Sequence, residues 1–368
     1  MLNDPRVDKF ADVLVNYSIG VQKDQRVIIQ GTTLAEPLLR ATYTEVLRAG
    51  GHPMLLITLP DQDELLFRYG SDSQLQHVSD VHQHAIGTYD AILVILSTAN
   101  TRALNNVDPA RSVLRDRARS KLTETLLARY SAGELKWTGT LFPTNAFAQD
   151  ADMSLHEYED FVYGACMPDP DDPVGWWRAL SERQQRIVDW LKGRKEVTVV
   201  GPETELTLRI DGRTFINCDG HENMPDGEVF TGPIEDSVNG HVCFSYPAIH
   251  GGREVSGVRL WFKDGKVVKA TAEKNEAFLL KTLDTDEGAR RVGEFAIGTN
   301  AGIKRFTRQL LFDEKIGGSF HMALGAGIPS TGSRNRSAIH WDMICDLRQG
   351  GEIRVDGELL NKNGEFVI

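Results

Sequence analysis

Residues Gly318 to Leu347 read GSFHMALGAGIPSTGSRNRSAIHWDMICDL and gather His321, His340 and Asp342 in one short stretch. Imidazole and carboxylate together form a donor set that a borderline divalent ion takes readily. Inside an apolar run, the HxD spacing predicts that His340 and Asp342 point to one face of a strand, with Trp341 turned to the other. The chemistry this points to is metal binding. Two further carboxylates extend the set. Glu228 lies in HENMPDGEVFTGP, where Pro225 and Gly227 make a turn and Val229 and Phe230 open an apolar strand, so the carboxylate is held at the edge of rigid structure. Glu294 lies in DEGARRVGEFAIG, which reads as a helix with acidic residues in its first turn. On that helix Ala289, Val292, Phe295 and Ala296 form the apolar stripe, and Glu294 falls off it towards solvent.

The elements that must position these residues follow from the pattern along the chain. At 368 residues the sequence suits two domains, each large enough to bury a core. The first part alternates strand and helix: Arg26–Gln30, a helix over Ala35–Ala49, Pro53–Thr58, the apolar Ala91–Ser97, a charged helix from about Pro109 to Tyr130, and a strand from Gly139. That alternation predicts a parallel sheet flanked by helices. MPDPDDPVGWW, from Met167 to Trp177, reads as a connection, followed by a helix to about Gly193. From Glu196 the chain changes to short strands: VTVVG, LTLRID, HVCFSYPAI, VSGVRLWF and KVVKATA, with a hairpin at Lys263-Asp264-Gly265-Lys266. The expected fold is therefore α/β, with an N-terminal α/β domain over residues 1–192 carrying a largely parallel sheet. Residues 193–368 form a strand-rich α+β domain carrying the metal site on edge loops and one helix.

Composition excludes several functions. A net charge of −11 and a pI near 5.4 argue against general affinity for nucleic acid or anionic membranes. The four cysteines have no CxxC spacing, so neither a zinc knuckle nor a disulfide framework is signalled. MLNDPRVDKFADVLVNYS lacks a basic head with an apolar core, and no run approaches the roughly 18 apolar residues of a membrane span, which places the protein in the cytoplasm. Gln30-Gly31-Thr32-Thr33 lacks the glycines and lysine of a nucleotide loop, and Gly325 and Gly327 read as turn glycines beside His321. His77, His82 and His84 lie on an amphipathic surface stretch, and His241 and His250 flank a strand as structural residues. Arg334 and Arg336 are candidates for bidentate recognition of a substrate carboxylate.

Four stretches, NMPDGEVFTGP, GARRVGE, GGSFHMALG and NRSAIHWD, occur in the order found in the M29 metallo-aminopeptidases, the thermophilic aminopeptidase or aminopeptidase T type. Weaker similarity reaches back through LVNYSIGVQKDQRVIIQGTTLAEPLLRATYTEVLRAGGHP and MSLHEYEDFVYGACMPDPDDPVGWWRAL, so the chain resembles that family over nearly its whole length. The resemblance implies that Glu228, Glu294, His321, His340 and Asp342 bind metal, with Glu228 and Glu294 also catalytic. It implies two divalent ions (Zn, Co or Mn), with Asp342 or Glu228 bridging, hydrolysis of N-terminal residues from short peptides, and a homodimer. One departure stands out. The family's HxALGxxYP pattern carries a tyrosine where this chain has Ile328, which can neither ligate nor donate to an oxyanion. The alternative is oxidative: His321, His340 and Asp342 also make the facial triad of a ring-cleaving dioxygenase with one Fe(II), and the fold resembles that of such an enzyme. A third reading is a protein that binds peptides without catalysis.

Overall fold

The computed structural model describes residues 4–368, so the first three residues of the N-terminal stretch lie outside the described residues. By contacts the chain forms two compact units, one running to Val174 and taking in Gly220–Pro225, the other made of Gly175–Asp219 and Asp226–Ile368. The helix Pro173–Leu191 ends just before the 192/193 boundary read from sequence. Its Ile187, Val188 and Leu191 pack in the second unit's core, which is why it groups there.

The strands β1 (Arg26–Thr32), β2 (His52–Thr58), β3 (Ala91–Leu96) and β4 (Lys136–Leu141) alternate with helices. Next come β5 (Glu196–Gly201), β6 (Thr204–Arg209), β7 (Ile216–Cys218), β8 (Asn223–Met224) and β9 (Glu228–Thr231). They are followed by β10 (Asn239–Cys243), β11 (Ala248–His250), β12 (Arg253–Val255), β13 (Arg259–Lys263) and β14 (Lys266–Thr271). The last are β15 (Val292–Gly298), β16 (Ser319–Gly325), β17 (His340–Asp346), β18 (Glu352–Val355), β19 (Glu358–Lys362) and β20 (Glu365–Phe366).

In the first unit the sheet order is β2-β1-β3-β4-β8 and every pair is parallel, as the strand–helix alternation predicts. The run AILVIL in β3 is buried over most of its length, and its Ile92 packs with Ala85, Ile86 and Leu122 of the flanking helices. β8 is a two-residue addition, and the buried Thr140 hydroxyl donates to Met224 O at 2.6 Å to hold it there.

The second unit has an eight-stranded antiparallel sheet, β14-β13-β10-β6-β5-β18-β19-β20, and a five-stranded one, β17-β16-β15-β9-β7. Side chains from both sheets join one hydrophobic cluster, with Val197, Leu206, Leu260 and Ile353 from the first and Phe295, Phe320, Met322 and Trp341 from the second. The Asp264-Gly265 hairpin forms as read, with Lys263 opposite Lys266 and both turn residues at positive φ. HVCFSYPAI and VSGVRLWF each divide into two strands belonging to different sheets, β10 with β11 and β12 with β13.

The sequence-based helix around Glu294 is corrected: Val292–Gly298 is strand β15, buried along its whole length between β16 and β9. Its central position buries both faces, which removes the alternation that marks a half-exposed strand and leaves a pattern that mimics a helical stripe.

Candidate metal centre

Strand register brings the predicted residues together. Across the five-stranded sheet Gly298 stands opposite Glu228, Ala296 opposite His321, Glu294 opposite Ala323, Ala323 opposite Asp342, and Gly325 opposite His340. Cross-strand partners share a face and side chains alternate, so Glu228, Glu294, His321, His340 and Asp342 all project from the same side. The intervening positions on that side include Gly298, Ala296 and Ala323, which leave room between the polar groups. The other side carries Val229, Phe295, Ile297, Phe320, Met322, Trp341 and Met343 and is the core. The site therefore sits on the face of four adjacent strands, which corrects the expectation of edge loops and a helix; HxD points to one face and Trp341 to the other, as predicted.

Two local devices aim the ligands. The register shifts between Val292 and Glu294, a β-bulge at Gly293 that turns Glu294 towards its neighbours. A Cβ on Gly293 would meet Ala326 O at 2.2 Å, so only glycine lets the segment after β16 pass this close. That same Ala326 carbonyl accepts from His340 Nδ1 at 2.8 Å, which orients the ring and presents Nε2 to the site.

The donors lie at near-contact distances. His321 Nε2 is 3.3 Å from Glu294 Oε1 and 3.4 Å from Glu228 Oε2. His340 Nε2 is 3.5 Å from Glu294 Oε2 and 3.6 Å from Asp342 Oδ1. Glu228, Glu294, His321 and Asp342 are buried, and His340 is the exposed member. Four overlapping groups have ligand atoms within 4.8 Å of one another: Glu228–Glu294–His321, Glu294–His340–Asp342, Glu314–His321–Asp342 and Cys218–Asp226–Glu228. Glu228 Oε2 and His321 Nδ1 are buried without a hydrogen-bond partner, and for Glu228 Oε2 a cation among these donors would fill that need. The donor set and this orphaned oxygen fit a divalent ion.

Charge in the metal-free protein is arranged around the imidazoles. Burial pushes the His321 imidazole down, but Glu294 and Glu228 outweigh it and hold it at about 9. His340 is likewise disfavoured by burial, yet Asp342 and Glu294 lift it to about 11. Glu294 feels the reciprocal pull, falling to about 2 against its burial. Burial instead dominates at Glu228, raising it to about 8 although Lys315 opposes this. At pH 7 His321, His340 and Glu228 thus each carry a proton that a bound metal must displace. Calorimetric metal titrations at pH 7 in buffers of different ionisation enthalpy are expected to show about three protons released per chain, with affinity rising as pH rises. Metal binding that is independent of pH between 6 and 8 would contradict this. The sign is opposite for the metal-free fold: the imidazolium pairs contribute fully below the unfolded histidine value, about 6.5, and are lost as pH rises through 9 to 11.

Four residues escaped the sequence reading. Cys218, Glu314, Lys315 and Asp226 lie within or beside these groups. For Glu314 and Lys315 the local signal is FDEKIGGSFH, an acid pair and a lysine shortly before His321, a pattern that solvated loops share. Arg334 and Arg336 are exposed on the segment leading to β17, where the Arg334 backbone N–H donates to Glu235 Oε1 at 2.6 Å. His77, His82 and His84 belong to no metal-capable group among the described residues, and His250 stacks on Trp341 with ring centroids 5.1 Å apart.

The donor set is one that a metal-dependent hydrolase could use, and the comparison with known families agrees with it. The sequence profile of the thermophilic metalloproteases (M29) matches residues 3–366, and the chain belongs to that family. Aminopeptidase 2 of Geobacillus stearothermophilus is 27% identical over 89% of this chain and 85% of its own. Aminopeptidase T of Thermus thermophilus is 26% identical over 95% of this chain and 94% of its own. The solved structure of wild-type AmpT from Thermus thermophilus superposes with a TM-score of 0.85 at 22% identity, covering 99% of each chain, and so shares the fold.

Proposed function

We propose that the protein is an aminopeptidase that removes N-terminal residues from short peptides, using water activated by two divalent ions, Zn, Co or Mn. The observation that carries this is the placement of Glu294. Its carboxylate belongs to two donor groups at once, with Oε1 facing His321 and Oε2 facing His340. Glu294 would thus serve both ions in this reading, in preference to Asp342 or Glu228. Glu228 and His321 would help to hold one ion, and His340 and Asp342 the other. When bound, the ions supply a Lewis acid for the scissile carbonyl, a nucleophile from water at neutral pH and an anchor for the free α-amine.

The chain's own groups do the rest. His340, the exposed donor, lies where substrate arrives, and Glu228 and Glu294, which line the two proposed positions, are the carboxylates assigned to orient the attacking water. Arg334 and Arg336 are assigned to the carboxylate end of a short peptide. A single Fe(II) held by His321, His340 and Asp342 would leave Glu228 and Glu294 without a task, so the hydrolytic reading is preferred.

The test is metal analysis combined with substrate choice. Two ions per chain and metal-dependent cleavage of a free dipeptide, with its N-acetylated form untouched, are expected. Equal cleavage of both, or one iron per chain with oxygen uptake on a dihydroxylated aromatic ring, would overturn the proposal. The protein is further proposed to act in the cytoplasm as a homodimer, in which a second copy covers sheet edges left open in the strand-rich unit. Light scattering at micromolar concentration should give about twice the chain mass of 40.9 kDa, and a clean monomer there would count against it.

A further inference from the structure

Lys315 is fully buried beside the proposed centre and has no part in the mechanism above. Its Nζ donates to Glu314 Oε1 and stands 3.6 Å from Glu228 Oε1 and 3.9 Å from Asp226 Oδ1. An ammonium placed in a dry interior loses its hydration and persists only where paired groups offset that loss.

The backbone fixes where this cation sits. Asn300 N donates to Lys315 O at 3.1 Å and Gly317 N donates to Asn300 O at 3.0 Å, tying the segment to the end of β15. A Cβ on Gly298 would lie 2.2 Å from Ile316 O, so glycine at that position is what allows the approach. The ammonium is therefore held by a braced segment of chain.

Glu228 is divided by this arrangement. Its Oε1 faces Lys315 and its Oε2, buried without a hydrogen bond, faces His321. Glu314, which shares a donor group with His321 and Asp342, gives its Oε1 to the same ammonium. We propose that Lys315 is a positioning residue for the metal centre: a fixed internal cation that takes one oxygen of Glu228 and one of Glu314, so that each carboxylate offers a bound ion a single oxygen. This rests on the two-metal reading. With the ammonium gone, both carboxylates are free to chelate through both oxygens, which raises the ligand number and closes the open position that a reacting water needs.

The experiment uses full-length, cobalt-substituted protein and the variant Lys315→Met, which keeps nearly the same length without the charge. Cobalt content should match wild type, while visible absorption per cobalt falls towards the weak bands of six-coordinate Co(II). The kcat for dipeptide hydrolysis should drop about 10-fold or more, with KM little changed. Lys315→Gln, which restores a neutral donor, should recover part of the wild-type spectrum. Unchanged spectra at equal cobalt loading overturn the proposal even where stability falls, because the cation then serves only the fold. If Lys315→Met does not fold with cobalt present, the spectrum is read on Lys315→Gln, and failure of both to fold overturns it equally. Wild-type protein that binds no cobalt overturns the metal reading and Lys315 with it, whereas bound cobalt with an unchanged variant spectrum overturns Lys315 alone.

Discussion

Glu294→Ala is expected to lose both ions of the proposed centre, and with them the proposed hydrolysis, because this one carboxylate faces the two imidazoles from opposite oxygens. His340→Ala and Asp342→Ala remove donors from only one of the two groups around Glu294 and should retain the ion held by Glu228 and His321. The metal-free Glu294→Ala protein should also be less stable than metal-free wild type, since removal of the acid leaves His321 only Glu228 and His340 only Asp342 at pairing distance. Elemental analysis and urea unfolding of chelator-treated protein check both parts. Retention of two ions by Glu294→Ala would remove it from the bridging position and return that role to Asp342 or Glu228.

Ile328→Tyr is expected to act in the opposite direction. Ile328 is half-buried immediately before the short 3₁₀ turn Pro329–Thr331, in the segment joining β16 to β17, the strands that carry His321 and His340. A phenol at this position would add a hydrogen-bond donor for charge developing on the scissile carbonyl oxygen, and one such donor is worth about 10²-fold in kcat. Wild type should then be slow yet metal-dependent, and Ile328→Tyr faster by about that factor at equal metal loading. Equal rates in the two proteins would mean that another group already fills the role, or that peptides are not the substrate.

The legible parts of this molecule were those with a long apolar run, a fixed turn or a polar pair two positions apart. β3, the Asp264-Gly265 hairpin and the HxD strand announce themselves through apolar runs, positive-φ turn residues and alternation. Glu294 was legible as a site residue only through the family's motif, because β15 is covered on both sides and its bulge at Gly293 breaks the alternation. Glu314 and Lys315 were not legible at all. Their burial depends on Gly298 admitting the Lys315–Gly317 segment, a contact between positions far enough apart that no local pattern records it.

β8 has a consequence for any attempt to dissect the protein. Gly220–Pro225 leaves the second unit, lends Asn223 and Met224 to the first unit's sheet, and returns two residues before Glu228. Cutting the gene after Val174 therefore gives no self-sufficient halves. The N-terminal piece would lose its outermost strand and leave the buried Thr138 and Thr140 hydroxyls without the carbonyls of His221 and Met224. The C-terminal piece would carry that strand as an unpaired ribbon directly upstream of Glu228, a carboxylate of the candidate metal centre. Complementation of the two fragments, or a circular permutant that keeps Gly220–Pro225 in place, should succeed where either fragment alone aggregates.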